Sequence, residues 1–147
     1  MKMAKMGSLV CLVYLVGCFV FSLTAYGATG LEFAGKWEEK HQGGREGVNL
    51  VQEIEIIHNN DKQYYIYGTY IITDTATSTG YRTVCKSTGN RILALYKDGI
   101  LELYDTELRL LCDDNTWSTM RFGRWAAVDK KTGKLELEGS QLKYTKK

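Results

Sequence analysis

From residue 31 onward, apolar and polar side chains alternate in short runs that are rich in Tyr, Ile, Val, Thr and Trp. An alternation with a period of two places successive side chains on opposite faces of a β-strand. No segment of about ten residues keeps the 3.6-residue period of an amphipathic helix. The pattern predicts eight strands, over residues 34–41, 49–58, 63–74, 79–87, 91–97, 100–112, 117–128 and 134–145.

Short turns separate these strands, and Asp98-Gly99 is the sharpest of them. Asp-Gly favours the type I′ turn, whose two positive φ angles match the twist of a hairpin. Eight strands with short connections indicate an all-β domain built as a small antiparallel meander. Closing the meander would remove its exposed edges, so we expect a closed or partly closed barrel, with a β-sandwich as the alternative.

The opening segment Phe33-Ala34-Gly35-Lys36-Trp37 resembles the Gly-x-Trp first strand of calycin-like barrels, the lipocalins and avidins. In those families the Trp closes one end of the barrel and packs under an arginine. The resemblance implies that Trp37 plugs the barrel, with Arg121 or Arg124 above its ring.

The first 23 residues have a different pattern. Lys2 and Lys5 precede an almost wholly apolar run over residues 9–23, which is the layout of an export signal. The run is shorter than the roughly 20 residues that a membrane-spanning helix needs. We expect the lysines to stay in the cytoplasm and the domain after residue 30 to lie outside it.

Within the apolar run, Leu15-Val16-Gly17-Cys18 resembles the lipobox of bacterial lipoproteins. The resemblance implies a lipoprotein signal peptide over residues 1–17 and cleavage before Cys18, which would carry S-diacylglycerol and N-palmitoyl groups. Residues 18–30 would be the lipidated N-terminus and linker, and residues 31–147 the periplasmic β domain. Two other fates stay open: ordinary cleavage before Ala28, or retention of the run as a marginal membrane anchor.

In length, lipobox position and all-β exported part, the chain resembles the small enterobacterial envelope lipoproteins of the YafY/YfjS type. In enteric lipoproteins the residue after the lipidated Cys directs sorting, and an aromatic residue there implies inner-membrane retention. Phe19 occupies that position. The resemblance therefore implies a lipid anchor in the inner membrane on the periplasmic side, reached through the lipoprotein processing and sorting machinery. An outer-membrane lipoprotein and a soluble periplasmic protein are the alternatives.

The charge of the chain narrows the choice of partner. The 147 residues include 19 basic and 17 acidic ones, and the exported part, without Lys2 and Lys5, is formally neutral. A neutral domain lacks the basic footprint that nucleic acid requires, so we expect no nucleic-acid partner. The lysines of the tail are expected on a solvated edge strand and turn or, alternatively, at anionic lipid headgroups: Lys130, Lys131, Lys134, Lys143, Lys146 and Lys147.

Cys85 and Cys112 are the two cysteines of the exported part. An isolated pair in an oxidising compartment is usually bonded. A two-residue turn at Asp98-Gly99 would place the two cysteines opposite each other, because each lies the same distance along its arm of the hairpin. This predicts a disulfide, provided that residues 87–90 form a bend with no net bulge.

Candidate catalytic and metal-binding residues are few. His41 and His58 have neither a His-x-x-x-His spacing nor a neighbouring cysteine pair, so we expect no metal and no cofactor. No Gly-x-Ser-x-Gly or comparable nucleophile motif occurs in the chain. Two carboxylate pairs share a strand face, which is typical of a solvated surface: Glu53 with Glu55, and Glu136 with Glu138. The chain is therefore expected not to be an enzyme.

The stretch from Gln63 to Tyr70 contains four tyrosines. Alternation sends Tyr65 and Tyr67 to one face of the strand, and Tyr64, Ile66 and Tyr70 to the other. One face is expected in the core, and the other would expose tyrosines suited to protein or sugar contacts. The leading hypothesis is binding of an unidentified envelope protein, in stress response, inhibition or immunity. The alternatives are a carrier of a small apolar ligand inside the barrel and an unrecognised hydrolase.

Overall fold

The computed structural model describes residues 30–147, which form one 3-10 turn and eleven β-strands. Cys18 and Phe19, with the whole of the expected signal peptide, lie outside the described residues. The turn spans Leu31–Phe33, and the strands are β1 (Gly35–Gln42), β2 (Val48–Asn60), β3 (Gln63–Asp74), β4 (Tyr81–Lys86), β5 (Ile92–Lys97), β6 (Ile100–Leu103), β7 (Glu107–Cys112), β8 (Trp117–Arg121), β9 (Trp125–Val128), β10 (Leu135–Leu137) and β11 (Lys143–Lys146).

Eight of the strands close into an antiparallel barrel. Their order around the barrel is β1, β2, β3, β5, β6, β9, β10 and β11, and β11 pairs back with β1. The longest ladder joins β2 to β3, from Val48 opposite Asp74 to Asn60 opposite Gln63. Because each barrel strand has a neighbour on both sides, the prediction of a closed all-β barrel is confirmed, and the sandwich is excluded.

The remaining strands, β4, β7 and β8, continue the sheet outside the barrel. Strand β3 pairs with β5 over residues 63–66 and with β4 over residues 69–74, so the sheet branches at Gly68. A Cβ atom on Gly68 would lie 3.0 Å from side-chain atoms of both Leu108 and Met120. The missing side chain lets β7 and β8 pack directly on the barrel.

Three of the eight predicted strands each divide in two. The chain passes between the outer sheet and the barrel at residues 104–106 and 122–124, and it turns between β10 and β11 at residues 138–142. A Cβ atom on Gly123 would lie 2.3 Å from the Cβ of Glu138 and 2.4 Å from its carbonyl oxygen. The two segments therefore approach more closely than any side chain at position 123 permits. The alternation of apolar and polar residues runs across these breaks, so the pattern did not reveal them.

Large side chains fill the inside of the barrel. Residues that are less than 2% exposed come from all eight barrel strands and from the turn before β1, among them Phe33, Trp37, Ile54, Ile56, Tyr64, Ile66, Ile92, Leu101, Ala126, Leu135 and Tyr144. The alternation predicted for β3 is confirmed, because Tyr64 and Ile66 are buried while Tyr65 and Tyr67 lie half-buried on the outside.

Trp37, which the resemblance to calycin-like first strands places at one end of the barrel, is buried in the core at 1% exposure. Its indole Nε1 donates a hydrogen bond to the Phe33 carbonyl oxygen at 2.8 Å. The cation above its ring is Lys146, whose Nζ lies 5.3 Å from the ring centroid. The expectation of Arg121 or Arg124 in that place is wrong, because β1 pairs with β11 and the register sets Trp37 opposite Lys146.

Candidate protein-binding surface

An apolar row crosses four neighbouring strands on the outside of the barrel. Ile57 of β2 pairs with Tyr65 of β3, which pairs in turn with Leu93 of β5. Tyr104, directly after β6, joins the row because its N–H donates to the Leu93 carbonyl at 3.0 Å. Ile57 is 45% exposed and Tyr104 is 64% exposed. These four residues are called the outer row below.

Arg91 lies against the outer row. Its guanidinium carbon is 3.9 Å from the centroid of the Tyr65 ring, which is a cation–π contact. A hydrogen bond with the Tyr67 side chain raises the pKa of Arg91 above its usual range. Tyrosine and arginine are enriched in the centres of protein interfaces, because they combine a large rigid surface with hydrogen-bonding groups. The outer row and its arginine have this composition.

A groove of about 720 Å³ begins at Tyr67 and follows the outer surface of β2, β3 and β4. Lys36 and Glu55 lie 3.8 Å apart on one of its walls. The groove combines an apolar floor with charges of both signs: Ile71, Val84 and Leu111, with Glu53, Arg82, Lys86 and Asp113 around them. Charges of both signs around an apolar centre orient a protein partner and exclude others.

Lys147, the last residue of the chain, forms ion pairs with two carboxylates beside the groove. Lys147 Nζ lies 2.6 Å from Glu38 Oε2 and also pairs with Glu53. Hydrogen bonds from Lys147 and Lys40 lower the pKa of Glu38. The same bonds with Glu38 and Glu53 raise the pKa of Lys147. This tail lysine is therefore held by two carboxylates of β1 and β2.

A second cavity, of about 390 Å³, lies between β8 and the inner sides of β2, β3 and β11. The Tyr144 hydroxyl donates a hydrogen bond to Gln52 Oε1 at 2.7 Å. Burial raises the pKa of both Tyr144 and Tyr70, so the two phenols stay protonated at neutral pH. This cavity, the β8 cleft, is also lined by Leu110, Ser118, Thr119, Met120, Arg121, Ser140 and Leu142.

His41 lies near the end of β1, and His58 lies near the end of β2. His41, which sits beside the β1–β2 turn, is half-buried, and its Nδ1 is 2.6 Å from Glu39 Oε2. His58 is exposed, with Nε2 3.0 Å from the Asp61 carbonyl oxygen. Among the residues that the structure describes, no group of three or more His, Cys, Asp or Glu side chains is placed to hold a metal ion.

Two further pairs of residues were candidates in the sequence, one of cysteines and one of glutamates. Cys85 and Cys112 form the predicted disulfide. Glu53 and Glu55 lie on the outer side of β2, half-buried among charges rather than facing each other across a cleft. Between residues 30 and 147, no helix is long and apolar enough to cross a bilayer.

The neighbours of Tyr65 do not follow from the sequence pattern. In a simple meander the strand after β3 would lie beside it along its whole length, so Leu93, Arg91 and Tyr104 would be distant. The structure places β5 beside the first third of β3 instead. Only the branching of the sheet brings these residues together, and no local pattern signals it.

Comparison of the chain with protein-family models, with curated proteins and with solved structures gives no match in any of the three. The surfaces described above are therefore the basis on which we assign a function.

Proposed function

We propose that this chain is a non-catalytic lipoprotein of the cell envelope that binds a protein partner through the outer row and the groove beside it. The outer row carries the proposal, since it presents two exposed apolar side chains, Ile57 and Tyr104, with Arg91 stacked on the half-buried Tyr65 between them. Contiguous exposed apolar strips mark interaction sites on soluble domains. Tyrosine and arginine are also the side chains that most often dominate the binding energy of an interface.

The packing of the barrel favours a protein partner over the carrier of a small apolar ligand. A carrier needs space along the barrel axis, and here Trp37, Ile54 and Tyr64 occupy that space, each at most 1% exposed. The apolar side chains of the outer row lie on the outside of the barrel, where a second protein can reach Ile57 and Tyr104.

The lipid anchor is part of the same proposal. Its support is the run of residues 9–23 and the resemblance of Leu15-Val16-Gly17-Cys18 to a lipobox. Acyl chains on Cys18, with Phe19 favouring the inner membrane, would keep the domain at a membrane surface. A partner on that surface would be another envelope protein.

Site-specific photo-crosslinking in cells tests the outer row. A photo-reactive phenylalanine derivative in place of Tyr104 should give a discrete adduct with one envelope protein. The same substitution at Tyr81, which is 49% exposed at the start of β4, is the matched control and should give none. Adding Ile57→Asp to the Tyr104 probe should remove the adduct, because a charge interrupts the strip. Adducts that are equal at both positions, or that survive Ile57→Asp, would contradict the proposal.

A further inference from the structure

Strand β8 has a free edge, since β7 is its only neighbour among residues 30–147. The Cys112 N–H donates to the Thr116 carbonyl, and the Phe122 N–H donates to the Thr106 carbonyl. In an antiparallel ladder such pairs recur at every second residue, so the even-numbered residues of β8 face β7. The backbone groups that point the other way, towards the free edge, belong to Trp117, Thr119 and Arg121.

The free edge borders the β8 cleft. Thr119 and Arg121 line it on one side, and Ser140 and Leu142 face them from the β10–β11 connection. Residues 119 and 121 are about 6.6 Å apart along the strand, which is also the spacing of alternate residues in any other extended chain. The cleft volume of about 390 Å³ lies within the range of known ligand sites.

We propose that the β8 cleft binds an extended peptide segment of another polypeptide, which adds a strand to the free edge of β8. Main-chain hydrogen bonds with Thr119 and its neighbours would supply the affinity, as in other cases of β-strand addition. A small apolar molecule would leave the backbone groups of the edge unpaired. A second folded copy would have to bring a whole sheet edge into a cleft that Ser140 and Leu142 also line.

The lining of the cleft specifies the side chains of the peptide. Leu142 and Met120 offer apolar contacts for one side chain of moderate size. The side chains on either side of it point away from the barrel, as Thr119 and Arg121 do on β8, and therefore face solvent. The segment that fits is therefore an apolar residue flanked by small polar β-formers, as in Thr-Leu-Thr. This site lies on the inner side of the sheet, so it is independent of the outer row.

Backbone N-methylation of a probe peptide tests strand addition directly. The probe is the labelled, end-blocked pentapeptide Thr-Leu-Thr-Val-Thr, and its binding to the full chain in detergent is followed by fluorescence polarisation. One isomer is methylated at residues two and four, the other at residues three and five. An extended peptide presents alternate N–H groups to opposite edges, so one isomer should bind like the parent peptide. The other should bind at least about tenfold more weakly. Equal binding of both isomers would overturn the proposal.

Variants of Thr119 give the reciprocal test. Thr119→Pro removes an N–H that points away from β7, and proline is tolerated at such edge positions. It should weaken the binding of the unmodified peptide about tenfold. Thr119→Val keeps the N–H and the β-branched shape and should bind normally, as should Ile57→Asp on the outer row. Near-ultraviolet circular dichroism checks that each variant is folded.

Two further results would overturn the proposal. One is unchanged binding of the peptide by Thr119→Pro. The other is no binding of the unmodified peptide by the parent chain at concentrations up to about 1 mM. Neither result would affect the outer-row proposal, whose photo-crosslinking test uses residues outside the cleft.

Discussion

Cys85 of β4 and Cys112 of β7 lie directly opposite each other and are joined by a disulfide. Their register is the one set by the turn at Asp98-Gly99, where Lys97 pairs with Ile100. Between the turn and the disulfide the two arms separate, because β5 and β6 stay in the barrel while β4 and β7 join the outer sheet. The disulfide therefore rejoins one long hairpin beyond the point where its arms part.

We expect replacement of both cysteines, Cys85→Ala with Cys112→Ala, to lower the free energy of unfolding by about 3.5 kcal/mol. The disulfide joins residues 27 positions apart, and opening a loop of that length restores conformational entropy to the unfolded chain. Denaturant unfolding of the parent and the double variant measures the difference. Rapid alkylation of both thiols in the folded parent without reductant would show that the bond does not form.

We expect Gly123→Ala to destabilise the protein by about 1–3 kcal/mol, because the new Cβ would overlap the backbone of Glu138. Gly44→Ala is the matched control, since a Cβ at Gly44 meets no atom within 4 Å. Thermal unfolding of the two variants under the same conditions should lower Tm for the first and leave it nearly unchanged for the second. Equal Tm values would mean that the 122–124 segment can move away from β10 without cost.

The pairing of Glu38 with Lys147 predicts a specific dependence on pH. The folded state lowers the pKa of Glu38 below its ordinary value of 4.5, so this carboxylate stabilises the fold above that pH. Its contribution is lost as the pH falls through the lowered pKa. Lys147 has a raised pKa, so its contribution is present below pH 10.5 and is lost at higher pH.

The corresponding measurement compares Tm between pH 7 and pH 3. Glu38→Gln should lose less stability over this range than the parent, because the variant has no carboxylate to protonate at that position. Lys147→Met should lower Tm at pH 7 more than Lys130→Met, which changes an exposed lysine in the β9–β10 turn. Parallel curves for the parent and Glu38→Gln would argue that the ion pair does not form in solution.

We expect Cys18→Ser to block lipid attachment and leave the barrel intact. The described core draws only on residues from Phe33 onward, so loss of the anchor should not change the fold. The variant should accumulate as a larger precursor and fail to incorporate labelled palmitate, as judged by gel mobility and radiography. Normal maturation with an N-terminus at Ala28 or Thr29 would show instead that the protein is soluble in the periplasm.

The strand content could be predicted because the side-chain period and the turn residues are local signals. The ladder of β2 and β3 and the hairpin at Asp98-Gly99 follow from these signals, and both are present. The branch at Gly68 is different, because it depends on which side chains pack over position 68, namely Leu108 and Met120, forty or more residues later in the chain. The alternation of apolar and polar residues around position 68 does not indicate this packing.

In the candidate sites too, some features follow from local sequence signals and others from contacts between distant residues. Alternation along β3 placed Tyr65 and Tyr67 on one face of the strand. Which face points outward, and the contact of these tyrosines with Arg91, depend on the strand order. The β8 cleft depends on two elements that the sequence pattern merged into longer strands, β8 and the connection before β11. A prediction based on strand periods therefore found the tyrosines and missed the surfaces to which they belong.

Gly30 packs against Tyr96 and the Tyr64 hydroxyl, at the end of the barrel that also holds Phe33. Tyr64 pairs with His58 of β2, six residues along that strand from Gln52 in the β8 cleft, a distance of about 20 Å. If the chain is anchored through Cys18, the anchor joins the barrel at the end where Gly30 lies. The β8 cleft would then lie at the opposite end of the barrel, away from the membrane, where a peptide in solution can reach it.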